Sequence, residues 1–204
     1  MTRKELKEKA KNSLKGKWTE SIKIILLNFA IYFLSGFVLG IIEVIFNINN
    51  DIREILSDIL SLVVGSLLTL GLISYFSKIA KGQTPTYKEL FSKTNMFKTM
   101  LLVSILVGIY TTLWSLLLII PGIIAAISYS QVHYILLDEP TIKANDAIKK
   151  SKELMNGHKM DYFVLCLSFL GWIILSCFTL GIGLLWLIPY MQVTQINFYE
   201  SIKK

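Results

Sequence analysis

Polar side chains that can donate and accept hydrogen bonds lie inside two of the long apolar runs of this chain. Gln131 and His133 belong to one run, and Gln192, Gln195 and Asn197 belong to another. Amides surrounded by lipid must find partners, because hydrocarbon offers none. These groups either bond to one another between helices, at about 0.6 kcal/mol each, or line a polar cavity. Such a cavity could hold a lipid headgroup or a small solute.

Residues that could carry catalysis or bind a metal are sparse. The chain has two histidines and two cysteines, and it contains no glycine-rich phosphate loop, no HExxH and no G-x-S-x-G motif. Glu43 and His133 lie near the ends of apolar runs, so each is expected close to the headgroups; for Glu43 an outward-facing cavity is the alternative. We therefore predict no catalytic residue, no metal site and no cofactor, in a protein that is not an enzyme.

The elements that would position these groups are apolar runs of membrane-spanning length. Of the 204 residues, 53% are apolar and 17% are charged, whereas soluble domains carry about 25% charged residues. A helix needs about 20 apolar residues to cross a hydrocarbon core of roughly 30 Å. The sequence predicts an all-α, polytopic membrane protein, a single membrane domain with about six transmembrane helices. The spans are expected at residues 24–46, 59–76, 97–120, 122–137, 160–178 and 184–199.

Lysine and arginine residues fall in alternate gaps between these runs. Of the 21, Arg53 alone lies in the gap 47–58, and the breaks near Pro121 and at 179–183 hold none. The others lie in 1–23, 77–98, 138–161 and the tail at 203–204. Short loops rich in these residues stay in the cytoplasm, so both termini are expected there. This sidedness accounts for the net charge of +7 and argues against a nucleic-acid partner.

A helix break is predicted at Pro121 and Gly122. One continuous helix over residues 97–137 would be about 60 Å long, twice the hydrocarbon core. Proline removes a helix donor, and glycine permits a tight reversal. The sequence favours a hairpin of two spans, with a re-entrant hairpin as the alternative.

Two amphipathic helices are predicted at the membrane interface on the cytoplasmic side. The first, within residues 1–23, begins with a capping box at Thr2 and Glu5. The second covers residues 142–157, and its lysines are candidate contacts for anionic lipid headgroups. These are Lys143, Lys149, Lys150 and Lys152. The alternative is a solvated charged face that only fixes the topology.

A small-residue motif in the first span, Gly36 and Gly40, is spaced to let helices approach closely. We expect a packing role within one chain, with a dimer face as the alternative.

Several strings together resemble a bacterial integral membrane family catalogued as domain of unknown function 975. They are LKGKW (14–18), WSLLLIIPG (114–122), SYSQVHYILLDEPTIKANDAIKKSKELMNGHK (128–159), LSFLGW (167–172) and TLGIGLLWLIPYMQVTQINFYESI (179–202). The resemblance covers essentially the whole chain and is strongest from residue 114. It implies a multi-pass protein of the bacterial plasma membrane with no agreed activity.

Two functions are compatible with these observations. The first is a non-enzymatic membrane scaffold or partner- or lipid-binding protein, whose basic face contacts anionic headgroups of the inner leaflet or another membrane protein. The alternative is a small transporter or lipid-handling protein with a cytoplasm-facing polar cavity between spans four and six. Broken helices near residues 121–122 and 181–189 motivate the alternative, because such helices often flank transporter sites.

Overall fold

The computed structural model describes residues 1–203, and the tail residue Lys204 lies outside the described residues. Within residues 1–203 the chain forms ten α-helices and two short 3-10 helices, Tyr87–Phe91 and Thr94–Met96, and no β-strand. The α-helices are α1 (Arg3–Leu14), α2 (Trp18–Ile45), α3 (Asn50–Ala80), α4 (Phe97–Leu117), α5 (Ile119–Tyr129), α6 (Val132–Asp138), α7 (Ala144–Leu154), α8 (Lys159–Leu167), α9 (Leu170–Phe178) and α10 (Leu184–Ile202).

Five helical stretches in the described chain are long and apolar enough to cross a membrane. They are Trp18–Ile45, Asn50–Ala80, Tyr87–Leu116, Ile119–Asp138 and Lys159–Phe178. The sixth predicted span, α10, is not among them, since polar residues occupy much of its second half. The prediction of an all-α membrane protein with about six spans is confirmed at this level.

The second predicted span begins earlier than expected. The polar gap 47–58 was expected between spans, but α3 already starts at Asn50, where the Asn49 side chain accepts a hydrogen bond from the Ile52 amide at 2.9 Å. The Asn49 cap satisfies a free backbone amide at the start of α3. The helix can therefore begin among polar residues, before its apolar part. Arg53 then lies on α3 with its Nε 3.4 Å from a carboxylate oxygen of Glu43 on α2.

The chain reverses between α4 and α5, and these two helices pack side by side as a hairpin. The predicted position of the reversal was wrong. It occurs at Leu118, the one extended residue between the helices, and Pro121 lies in the first turn of α5. Proline is tolerated there because a first-turn amide has no helical acceptor. Gly122 is helical, and a Cβ on it would lie 2.2 Å from Ser115 Oγ. Glycine at this position therefore allows α5 to approach α4 closely.

The predicted packing role of Gly36 and Gly40 is also wrong within this chain. A Cβ added at either position meets no atom within 4 Å. The cause is the course of α2, whose buried residues, Ser21, Ile24 and Ile25, all lie near its first end. The rest of α2 leaves large apolar side chains exposed, as expected for a helix that faces lipid.

The apolar stripes of α1 and α7 are covered by the protein itself. The capping box of α1 is present, and its stripe of Leu6, Ala10 and Leu14 is at most 2% exposed. It packs on α10 and α3, whereas α7 packs on α4, α5 and α6. Both helices are amphipathic as predicted, but their apolar faces belong to the core, because neighbouring helices extend far enough to cover them.

The segment between α3 and α4 is fixed to the end of α3. The Glu89 carboxylate accepts hydrogen bonds from Ser74 Oγ at 2.5 Å, Ser92 Oγ at 2.8 Å and Lys78 Nζ at 2.5 Å. Leu90 is fully buried, and its carbonyl oxygen lies 1.8 Å from the place of a Cβ on Gly71. Only glycine at position 71 allows this approach.

Short local similarities occur between the helical hairpins of the chain. The last residues of α3 and α10 read ISYFSKI (73–79) and INFYESI (196–202), and PTYK (85–88) after α3 matches PTIK (140–143) after α6. The α4–α5 and α9–α10 reversals each place a glycine against a serine, Gly122 on Ser115 and Gly183 on Ser176. We describe the fold as three hairpin units, built on α2–α3, α4–α6 and α8–α10.

The units form a ring through the segments that precede each hairpin. The segment 87–96, before the second hairpin, packs on α3 of the first. Helix α7, before the third hairpin, packs on the second, and α1, before the first hairpin, packs on α10 of the third. Each hairpin is therefore covered by the segment that introduces the following unit, and α1 closes the ring.

Candidate functional site

The polar residues predicted to line a cavity mostly form contacts between elements. Tyr134 OH donates to Gln195 Oε1 at 3.4 Å and joins α6 to α10. Asn197, which is 1% exposed, donates from Nδ2 to the Leu6 carbonyl at 3.5 Å and joins α10 to α1. His133 is half-buried on α6. Interhelical bonds of this kind are the alternative that the sequence left open.

Two amide oxygens of this set are buried without a donor. Gln131 is fully buried; its Nε2 donates to Ser130 Oγ at 2.7 Å, and its backbone amide donates to Ser151 Oγ on α7 at 3.2 Å. Its Oε1 and the Oε1 of Gln192 have no hydrogen-bond partner within residues 1–203. The two glutamines occupy equivalent places after the glycines of the two hairpins.

The lysines predicted to contact anionic lipid lie on the exposed face of α7 and at its start. Lys143, Lys149 and Lys152 are exposed, and Lys150 forms an ion pair with Glu139. They therefore offer a charged surface on this side of α7.

A groove lies between α1, α9 and α10 and has a volume of about 510 Å³. This volume lies within the roughly 300–1,000 Å³ typical of ligand sites. Its lining combines two lysines, four large aromatic side chains and a strip of apolar and small polar residues. These are Lys7, Lys11, Trp18, Trp172, Leu175, Ser176, Thr179, Gly183, Trp186, Leu187 and Tyr190.

Two ammonium groups lie at one end of the groove. Lys7 Nζ donates to the Ser168 carbonyl at 3.1 Å and lies 4.2 Å from the centre of the Phe169 ring. Lys11 Nζ lies 5.8 Å from the centre of the Tyr190 ring. Burial, together with the nearby charges of Arg3 and Lys11, lowers the pKa of Lys7 from its ordinary value.

A break in the predicted span 160–178 creates the acceptor for Lys7. Helix α8 ends at Leu167 and α9 begins at Leu170, so the Ser168 carbonyl lies between two helices. A carbonyl outside the helical ladder is free to accept a side-chain donor. The break therefore leaves the Ser168 carbonyl as a hydrogen-bond acceptor beside the groove.

The opposite end of the groove is closed by the α9–α10 reversal. A Cβ on Gly183 would lie 2.7 Å from Ser176 Oγ, so α9 and α10 approach closely there. Thr179 Oγ1 accepts from the Gly183 amide at 3.0 Å and fixes the turn. Between the two ends, Trp172 and Trp186 are about half exposed and form walls open to the side.

Sequence reasoning did not identify this groove. From the sequence, Lys7 and Lys11 have only the role shared by all the lysines of residues 1–23, that of fixing the topology. Their i, i+4 spacing places both lysines on one side of α1, but nothing in the sequence shows that α1 packs beside α9 and α10. The signal is visible only once α1 and α10 are known to be neighbours.

A family model described as "Protein of unknown function (DUF975)" matches residues 1–128 and 115–204. The chain belongs to the DUF975 family. The resemblance stated from the sequence is thereby confirmed over the whole length. No curated protein and no solved structure matches the chain. Membership of the DUF975 family therefore assigns no activity to the chain.

Proposed function

We propose that this DUF975 protein is a non-enzymatic, lipid-binding protein of the bacterial plasma membrane, whose groove between α1, α9 and α10 holds a membrane lipid. The observation that carries the proposal is the composition of the groove: apolar and aromatic walls open to the side, with ammonium groups at one end. A lipid has the same division into an apolar part and a polar part. The scaffold function and the transporter function between spans four and six remain predictions.

Both termini are proposed to lie in the cytoplasm. The support is the alternation of lysine-rich and lysine-poor gaps, which is the pattern that sets orientation in membranes. Cysteine labelling of intact cells tests it, with Cys166 and Cys177 first replaced by serine. A membrane-impermeant maleimide should label Asn50→Cys and spare Asn145→Cys. Labelling of position 145 from outside would reverse the assignment.

Filling the groove tests the lipid-binding function. Leu175 lines the groove, and Ile174 beside it does not, although the two side chains are exposed to 54% and 52%. Leu175→Trp adds a large side chain inside the groove, and Ile174→Trp adds the same side chain outside it.

The protein should be delipidated in detergent, titrated with phospholipid and examined by native mass spectrometry. The wild type and Ile174→Trp should retain a bound lipid at one copy per chain, whereas Leu175→Trp should lose it. Equal retention in both variants would show that the bound lipid lies elsewhere and would refute the proposal.

A further inference from the structure

The two ammonium groups of the groove have no carboxylate partner. Within the described part of the chain, neither Lys7 nor Lys11 forms an ion pair, although Lys23, Lys78 and Lys203 do. The contacts of Lys7 are a carbonyl and an aromatic ring, and the contact of Lys11 is an aromatic ring. These groups solvate an ammonium but do not neutralise it. The charge at this end of the groove is therefore available to an anion.

The two ends of the groove also differ in chemistry. Along α9 and its two flanking ends, the distance from Ser168 to Thr179 is about 16 Å at 1.5 Å per residue. The lysines contact Phe169 and Tyr190 at one end, and the turn of Thr179 and Gly183 forms the other. The lining also includes the apolar side chains of Leu175, Trp186 and Leu187. A ligand matched to this order has an anionic head beside α1 and an apolar chain along α9 and α10.

From these observations we infer that the groove is selective for an anionic phospholipid, whose phosphate binds between Lys7 and Lys11. The inference rests on the proposed lipid-binding function and adds the class of ligand and its direction in the groove. A zwitterionic phospholipid carries its own cation and gains less from the two ammonium groups.

A competition between two lipids of equal chain length tests the selectivity. The delipidated protein is mixed with equal amounts of phosphatidylglycerol and phosphatidylcholine in mixed micelles, and the bound lipid is counted by native mass spectrometry. The wild type should bind phosphatidylglycerol about 30-fold in preference, since two lysines act together on the anionic headgroup. The double variant Lys7→Gln, Lys11→Gln should bind both lipids equally and keep one lipid per chain.

A matched control separates the groove from the general charge of α1. Lys4 and Lys9 are exposed on α1 and do not line the groove. The double variant Lys4→Gln, Lys9→Gln removes the same charge and should keep the preference. Loss of the preference in this control would overturn the inference.

The remaining outcomes distinguish the inference from the function on which it rests. Binding of one lipid by the wild type without preference would refute the anionic selectivity and leave the lipid-binding function intact. Failure to bind either lipid would refute both. Displacement of the bound lipid by inorganic phosphate alone would show that the lysines form an anion site that does not need a lipid chain, and would also overturn the inference.

Discussion

Two of the glutamine side chains each bury an oxygen that lacks a hydrogen-bond donor in the described chain. The Oε1 atoms of Gln131 and Gln192 are buried without a donor within residues 1–203, whereas Gln195 Oε1 accepts from Tyr134 OH. An unsatisfied buried polar group costs about 1–3 kcal/mol. Gln192 and Gln195 thus provide a matched pair on one helix, one without and one with a partner.

Replacing Gln192 by leucine should stabilise the protein. The change removes an unsatisfied carbonyl and keeps a side chain of similar size, so the free energy of unfolding should rise by about 1 kcal/mol. Gln195→Leu should lower it by about 0.6 kcal/mol, since it removes an interhelical hydrogen bond. Thermal unfolding in detergent measures both. A clear loss of stability in Gln192→Leu would show that its oxygen has a partner in the working protein.

At the residue scale, the sequence identified polar groups by type but could not assign their partners. That Gln195 would meet Tyr134, and Asn197 the backbone of Leu6, depends on which helices are neighbours. The same holds for Lys7, which contacts Ser168 because a helix ends at Leu167. Chemistry is readable from residue types, whereas a site also needs proximity between distant parts of the chain.

At the scale of elements, hydropathy predicted where helices cross the membrane but not where they end. The predicted span 59–76 is the apolar part of α3, which extends to Asn50 and Ala80 because polar residues continue a helix in water. Which glycines permit close helix packing was similarly hard to predict from the sequence. Gly36 and Gly40 matched a packing motif and contact nothing, whereas Gly71 and Gly183, outside any recognised motif, meet backbone or side-chain atoms closely. Whether a glycine permits close packing depends on what lies opposite.

Gly71→Ala tests the attachment of the 81–96 segment to α3. The added Cβ would overlap the Leu90 carbonyl, and overpacking of this kind costs about 1–3 kcal/mol. Gly108→Ala on α4 is the control, because nothing lies within 4 Å of its added Cβ; it should stabilise the helix by about 0.5–1 kcal/mol. Opposite shifts in the unfolding midpoint are expected. Equal shifts would contradict the close approach of Leu90 to Gly71.

At the scale of the whole molecule, closure of the ring depends on α1. Its apolar stripe was predicted at the lipid interface and is instead part of the core between α10 and α3. The amphipathic pattern was read correctly from the sequence. The surface that covers this stripe could not be predicted, because an apolar stripe can be buried equally well by lipid and by a neighbouring helix.

Leu14→Ala distinguishes these environments. Leu14 is fully buried, so truncation should lower the free energy of unfolding by about 3 kcal/mol, as for a cavity in a packed core. Phe33→Ala is the control; Phe33 is 73% exposed on α2 and should change stability by less than about 1 kcal/mol. Chemical unfolding in mixed micelles provides the comparison. A small effect of Leu14→Ala would place the stripe against detergent or lipid.

The closure by α1 also sets an order of events during synthesis. Helix α1 leaves the ribosome long before α10, the helix on which most of its stripe finally rests. A nascent chain stalled before residue 184 therefore presents Leu6, Ala10 and Leu14 without that partner. We expect its first 16 residues to be cut readily by a protease added to the ribosome-bound intermediate, and to become resistant once α10 has emerged and docked.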